Sequence, residues 1–343
     1  MARRRPGAVL ALFGMLTVVA SPHALSAQSY ELPRTEWGHP DLQGDWANAT
    51  LTPLQRVEGY GPVYTQAQVD SLYGAWRSTI DVEFDPSDPG IARRRAADGG
   101  GLRPDEVYWE RDNQVARVDG EARSSLIQFP GDGRIAELTP QGEQRQQAYR
   151  DFRSRFGESD HPELRTLADR CLMALGSNTG PPMLPNNIYN DNYTIVQNRD
   201  HVLILTEMVH DVRIIRLGEP GSLPEHVRPW FGDSWGHWEG ETLVVETTHI
   251  HDRQLFNQPF SLRVHSLNAK VIERFTRTDE NTILYEFEVD DPDTYVEAWG
   301  GQIPMLRSDG LLYEYACHEG NYSMEGILRG ARYQEGSEDR DQP

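Results

Sequence analysis

The chain has 343 residues, and 33 Lys and Arg against 53 Asp and Glu give it a formal net charge of −20. A surface this acidic repels nucleic-acid phosphates and anionic lipid headgroups, which argues against both as partners. The two cysteines are too few for a structural zinc site without several histidines.

Residues 1–27 have the layout of a secretory signal peptide. Three arginines at positions 3–5 precede an apolar run over residues 8–20, and small residues follow at 26–27. A buried core helix is the alternative. We therefore predict a mature protein that starts near residue 28 and is periplasmic or secreted. No later apolar stretch is long enough to span a membrane as a helix.

Two helices are predicted in the N-terminal half of the mature chain. The first begins at Thr65, where Gln68 three residues on completes a capping box. The second follows Thr139 as N-cap, with Pro140 at its first position and Gly157 as its stop.

From about residue 190 the apolar pattern changes to the alternation of strands. Turn residues separate the runs, as at 198–200, 239–241 and 308–310. Strands joined by such tight turns are antiparallel, so the pattern predicts a meander of about eight strands. The predicted runs are 193–197, 202–206, 212–217, 235–238, 242–248, 270–277, 282–289, 295–307 and 311–317.

The pattern as a whole predicts a mainly β fold whose antiparallel meander closes into a barrel, with a sandwich as the alternative. Residues 28–170 would supply an N-terminal strand and a helical and loop segment that packs on the barrel. Residues 171–330 would form the barrel itself, and residues 331–343 an acidic flexible tail.

The cysteines, Cys171 and Cys317, both lie in the part expected to be exported. Two thiols in an oxidising compartment most often pair, so we predict a disulfide between them. A free nucleophilic cysteine is the alternative.

Several long blocks resemble a large family of exported bacterial proteins for which no activity is established. They are residues 40–46, 237–248, 252–253 and 315–322. A second resemblance is to lipocalin-type barrels, whose first strand opens with Gly-x-Trp, as Gly44-Asp45-Trp46 does here. This second resemblance implies a lipocalin-like β-barrel able to hold one small ligand.

Histidines and carboxylates near strand ends are the candidates for acid–base chemistry. His210 is expected among apolar neighbours inside the barrel, where it could act as a general base, or else as a hydrogen-bonded core histidine. His318 and Glu319 follow Cys317, so the disulfide would fix their loop, although an ordinary capped turn before a short helix over 323–332 is equally compatible. The candidate catalytic residues are His210, His318, Glu319, Arg213, Arg253 and Tyr322.

Among these candidates, Arg213 or Arg253 would orient an anionic group, and Tyr322 would donate a hydrogen bond. Arg213 also has a purely structural interpretation, a salt-bridge ladder with Asp211 and Glu207.

A metal site is a further hypothesis. In an extended segment His249 and His251 would point to the same side and could bind one ion together with a carboxylate, for which Asp252 is a candidate. The alternative is a polar strand end at a barrel rim, and no cofactor is expected.

Two functional hypotheses remain from the sequence. The chain lacks a Gly-x-Ser-x-Gly elbow, a phosphate loop and a dinucleotide fingerprint, which argues against common serine hydrolases and nucleotide or nicotinamide enzymes. The first hypothesis is an exported barrel that performs a cofactor-free lyase, isomerase or hydrolase step on a small organic molecule. The second is a binding protein with the same pocket and no turnover. Histidines and carboxylates that converge inside the barrel would favour the first.

Overall fold

The computed structural model describes residues 30–83, 114–173, 180–185, 191–221, 223–254, 265–310 and 312–341. The predicted leader, residues 1–27, lies outside these ranges. The helices are α1 (Gln66–Glu83), α2 (Pro140–Arg153) and α3 (Tyr322–Asp341). The strands are β1 (Gly44–Ala47), β2 (Arg117–Val118), β3 (Glu121–Ala122), β4 (Ile127–Phe129), β5 (Asn192–Gln197), β6 (His201–Thr206), β7 (Val212–Leu217), β8 (Asp233–Glu239), β9 (Thr242–Thr248), β10 (Lys270–Arg277), β11 (Thr282–Asp290) and β12 (Trp299–Arg307).

Nine strands close into a barrel in the order β1-β5-β6-β7-β8-β9-β10-β11-β12, and β12 returns to β1. The predicted mainly β fold with a lipocalin-like barrel is therefore confirmed. A tenth strand, β4, pairs with the part of β12 that β1 does not reach. That pairing needs glycine at Gly301, because a Cβ there would overlap the carbonyl oxygen of Leu126.

One strand pair departs from the predicted antiparallel meander. A closed ring of nine strands cannot alternate in direction throughout, since an odd number leaves one pair pointing the same way. That pair is β7 and β8, which run parallel and pair through Arg216 with Trp235 and Leu217 with Gly236. The connection, residues 218–232, exceeds the dozen residues that a parallel return requires.

One end of the barrel is closed around Trp46. Its side chain is fully buried, and its indole N–H donates to the carbonyl of Leu42 at 2.9 Å. The guanidinium groups of Arg277 and Arg307 lie 5.6 and 5.3 Å from the ring centroid. Arg277 also donates to the carbonyl of Asp41 at 2.7 Å, so this end is filled by cation–π contacts and hydrogen bonds.

Both predicted helix starts are confirmed. Thr65 and Gln68 exchange hydrogen bonds between side chain and backbone, which is the expected capping box. The Thr139 hydroxyl accepts from the N–H of Gly142 at 3.0 Å. Helix α2 ends at Arg153, before the predicted stop at Gly157.

The predicted disulfide between Cys171 and Cys317 is present, with 5.7 Å between the Cα atoms. It joins the chain that follows the N-terminal segment to the turn before α3. The predicted strand over 311–317 is wrong, because the described residues of that stretch pair with no other strand. Helix α3 is longer than expected and includes residues 331–341 of the predicted tail.

The outer face of β5, β6 and β7 is apolar and exposed. Val196, Val212 and Ile214 are 47%, 44% and 55% exposed, and Leu203 of β6 lies in register between Val196 and Ile214. Within the described residues, no helix is both long enough and apolar enough to span a bilayer.

Candidate functional site

Strand alternation places a charged pair inside the barrel. Glu273 lies on the inward face of β10 between Val271 and Phe275, and all three are buried. Arg213 occupies the inward face of β7 beside Ile215. The charges of Glu273 and Arg213 therefore meet where the neighbouring inward residues are apolar.

Arg213 and Glu273 form a bidentate ion pair. Arg213 Nη1 donates to Glu273 Oε1 at 3.0 Å and Nη2 donates to Oε2 at 2.6 Å. The two side chains are only 1% and 0% exposed. The hydroxyl of Tyr285, from β11, donates to the same Oε1 at 2.8 Å, so the carboxylate accepts three hydrogen bonds.

Burial fixes the protonation states of these groups. It raises the pKa of Tyr285 well above its usual value, and the charge of Glu273 adds to this effect. Burial alone would lower the pKa of Arg213, but the Glu273 carboxylate, together with Tyr285 and Tyr193, acts in the opposite direction, and the net pKa is raised. At neutral pH Tyr285 is therefore a neutral donor and Arg213 a cation.

A segment of the chain's own backbone lies against this pair. The interior segment, residues 180–185, is buried throughout, and Met183 and Leu184 belong to the main core. The N–H of Met183 donates to the Tyr285 hydroxyl at 2.8 Å. Gly180 has φ +74°, and a Cβ there would lie 2.8 Å from Arg213 Nη1, so glycine is required for this approach.

Two amide side chains hold the interior segment from the other sides. Asn48 Nδ2 donates to the carbonyl of Met183 at 3.1 Å, and Gln254 Nε2 donates to the carbonyl of Gly180 at 2.9 Å. Both amides are fully buried. Together with Arg213, Glu273 and Tyr285, they form what we name the interior cluster.

The interior cluster is incompletely hydrogen-bonded. Within the described part of the chain, Arg213 Nε, Asn48 Oδ1 and Gln254 Oε1 are buried without a hydrogen-bond partner. A buried polar atom without a hydrogen-bond partner costs folding free energy. One donor and two acceptors are thus available around the interior segment.

The structure does not bring together the candidate catalytic residues whose side chains it describes. Arg213 is in the barrel interior, whereas Arg253, His318 and Glu319 are exposed and Tyr322 is 80% exposed. An exposed side chain keeps its hydration, so these four do not share the dry interior with Arg213.

The expected partners of Arg213 also require correction. It pairs with Glu273 rather than with Asp211 and Glu207, because it faces inward across the barrel toward β10. Glu207 instead accepts from Asn192 Nδ2 at 2.8 Å and from the N–H of Tyr313 at 3.1 Å. With its charge compensated, Arg213 is poorly suited to the predicted role of orienting an anion.

His210 does not follow the strand alternation on which its prediction was based. Strand β6 ends at Thr206, and a short 3-10 helix, Met208–His210, follows with Val209 at φ +63°. Left-handed backbone is rare for a β-branched residue and marks a sharp change of chain direction. The side chain of His210 lies outside the described part of the structure.

The predicted metal site is not formed by the described residues. His249 has φ +52°, which breaks the extended geometry expected to align it with His251. The His251 ring stacks on Trp230 at 4.0 Å between centroids, and its Nδ1 accepts from the N–H of Arg253 at 3.1 Å. No group of three His, Cys, Asp or Glu side chains in the described ranges is placed to hold a metal ion.

His265 is a buried histidine beside these residues. Its Nδ1 lies 2.8 Å from the carbonyl oxygen of Ser266, and its Nε2 lies 2.9 Å from that of His251. Burial lowers the pKa of His265, although both carbonyls act in the opposite direction. The ring is therefore neutral in the folded protein at neutral pH.

Acidification is expected to destabilise the protein through His265. The unfolded chain binds a proton near the ordinary histidine pKa of about 6.5, while the folded chain binds it only at lower pH. The free energy of unfolding should therefore fall as the pH drops below about 6.5. Urea unfolding between pH 7.5 and 5.5 measures this, and His265→Gln should flatten the dependence. An unchanged pH dependence in His265→Gln would contradict the assignment.

Sequence reasoning missed most of the interior cluster. Glu273 carried a usable signal, since alternation places this carboxylate on the same strand face as its apolar neighbours Val271 and Phe275. Asn48 and Gln254 lie outside the strands, and no local pattern marks them as interior residues.

Comparisons with protein-family models, with curated proteins and with solved structures find no match to this chain. The resemblance to a family of exported bacterial proteins therefore stays a prediction.

Proposed function

We propose that this protein is an exported small-molecule-binding β-barrel, with its ligand held at the interior cluster. The observation that carries the proposal is a fully buried ion pair surrounded by polar atoms that have no hydrogen-bond partner among the described residues. Ligand sites in proteins combine an apolar lining with a few such convergent polar groups.

Folding stability alone does not account for the interior cluster. Replacing a buried ion pair by well-packed apolar residues is often neutral or stabilising. Each unpaired buried polar atom adds a further cost. Departures of this kind from an all-apolar interior are expected where a protein binds another molecule.

The geometry favours binding over an acid–base step. Both oxygens of Glu273 are engaged, Oε1 by Arg213 and Tyr285 and Oε2 by Arg213. The raised pKa of Tyr285 keeps its proton in place at neutral pH. The interior cluster thus offers fixed hydrogen-bonding groups rather than a base ready to accept a proton.

Export is part of the same proposal. The disulfide between Cys171 and Cys317 supports it, because such bonds persist in oxidising compartments. The arginine-rich and apolar pattern of residues 1–27 supports it independently.

Thermal melts of residues 28–343 against a library of small organic molecules test the proposal. A ligand at 100 times its Kd stabilises the native state by about 2.7 kcal/mol, which raises the melting temperature. We expect Gln254→Leu to weaken the best hit at least tenfold and the surface change Ile214→Ser to leave it unchanged. Equal effects of the two variants would place the ligand elsewhere. Conversion of the hit to a product, seen by mass spectrometry, would establish an enzyme instead of a binder.

A further inference from the structure

We propose that the interior cluster takes an electrically neutral molecule with both hydrogen-bond donors and acceptors on an apolar body, and that this molecule binds in place of the interior segment. The inference rests on the proposed binding function and adds to it the class of ligand and the mode of entry.

The charge balance of the interior excludes a simple anion site. The charge of Arg213, the one cation of the cluster, is compensated by Glu273 through two hydrogen bonds. The buried Asp191 lies close enough to act electrostatically on Tyr193, which also faces the interior. An anion entering here would lose its hydration and find no uncompensated positive charge. A neutral molecule has no such penalty.

The interior segment shows what the cluster binds. It offers one amide N–H to Tyr285 and two carbonyls to Asn48 and Gln254. It also buries the thioether side chain of Met183, which is fully inaccessible to solvent. All of these groups are neutral, so the barrel is already complementary to an amide-like molecule with an apolar body.

The atoms without partners give a ligand its advantage over the interior segment. Arg213 Nε can donate, and Asn48 Oδ1 and Gln254 Oε1 can accept, but the interior segment satisfies none of them. A molecule that satisfies them in addition to the groups used by the segment gains hydrogen bonds in a dry environment. Donors as well as acceptors are therefore required of the ligand.

A matched pair of fluorescent probes tests the class of ligand. Dansylamide is neutral and carries both donors and acceptors, whereas the corresponding sulfonate, 5-dimethylaminonaphthalene-1-sulfonate, shares its body and is an anion. Titration of residues 28–343 should show dansylamide binding at least tenfold more tightly than the sulfonate. Equal or tighter binding of the sulfonate would overturn the assignment.

Two substitutions test the location and the charge argument. Glu273→Gln leaves Arg213 uncompensated and should shift the preference toward the sulfonate at least tenfold. The same chemical change at Glu288, on the outward side of β11, should leave both affinities unchanged. Near-UV circular dichroism checks that each variant keeps its fold. A folded Glu273→Gln with the wild-type preference would contradict the proposed site.

Met183→Ala tests displacement without altering any charge. Shortening the buried side chain weakens the packing of the interior segment in the barrel. The segment is then displaced in a larger fraction of the protein molecules, so the apparent affinity for dansylamide should rise several-fold. A lower affinity would mean that Met183 contributes to the site rather than occupying it, which overturns displacement. Met183→Ala therefore tests displacement of the interior segment even if Glu273→Gln does not fold.

Failure of the proposed binding function and failure of the proposed ligand class give different results. If neither probe nor any library compound binds, the proposed binding function is wrong. If compounds bind at the interior cluster but anions are preferred, only the neutral class is wrong.

Discussion

Removing the disulfide, by Cys171→Ser or Cys317→Ser, is expected to lower the free energy of unfolding by about 4–5 kcal/mol. The bond closes a loop of 146 residues, and opening it restores conformational freedom to the unfolded chain. Urea unfolding of each variant and of the reduced wild-type protein measures the effect.

The double variant Cys171→Ser/Cys317→Ser is the control, and it should lose no more stability than either single variant. The local effect should be greatest around Asn321, whose side chain donates to the carbonyl of Asp169 at 2.9 Å across the disulfide. Faster amide exchange is expected in α3 than in the barrel strands. A loss below about 1 kcal/mol would contradict the predicted role of the bond.

Breaking the interior ion pair is expected to cost about 3–5 kcal/mol of unfolding free energy, because Glu273→Leu leaves Arg213 charged and buried without a partner. The double variant Arg213→Met/Glu273→Leu should recover most of this loss, since both charges are then absent. Urea unfolding at fixed pH and salt gives both values.

A matched surface pair provides the control for this prediction. Arg274 of β10 and Glu239 of β8 form an ion pair at 2.9 Å across the intervening strand β9, but both side chains are exposed. Glu239→Leu should leave the stability unchanged within error, because exposed pairs contribute little. If Glu273→Leu costs no more than Glu239→Leu, the interior charges are solvated and the proposed site is not dry.

Local features of the sequence predicted the secondary structure well. In β11, Ile283, Tyr285, Phe287 and Val289 share one face by alternation, and all four are buried as predicted. The capped starts of α1 and α2 were equally predictable, because a cap involves only residues three positions apart. Such signals do not depend on the rest of the fold.

Features that depend on distant parts of the chain were not predictable in this way. Arg213 and Glu273 are 60 residues apart, and their pairing follows from barrel closure and register rather than from any local pattern. Strand alternation also does not extend to His210 and His249, because the strands end before them and the backbone turns left-handed at Val209 and His249. The long connection between β7 and β8, residues 218–232, is the sequence feature that indicates their parallel pairing.

The interior segment was the least predictable feature. Residues 180–185 are rich in proline and glycine, a composition typical of a surface turn. Their burial results from side chains supplied by distant positions, among them Asn48, Gln254 and Tyr285. No periodicity within the segment itself encodes these partners.

Methyl-labelled methionine NMR tests the central claim most directly, because Met183 reports on the barrel interior and Met324 of α3 reports on a helix outside the sheet. Met183→Leu assigns the first signal. On addition of dansylamide, the binding account predicts a shift of the Met183 methyl resonance and no change at Met324. A saturating ligand that leaves Met183 unchanged would contradict binding in the barrel interior.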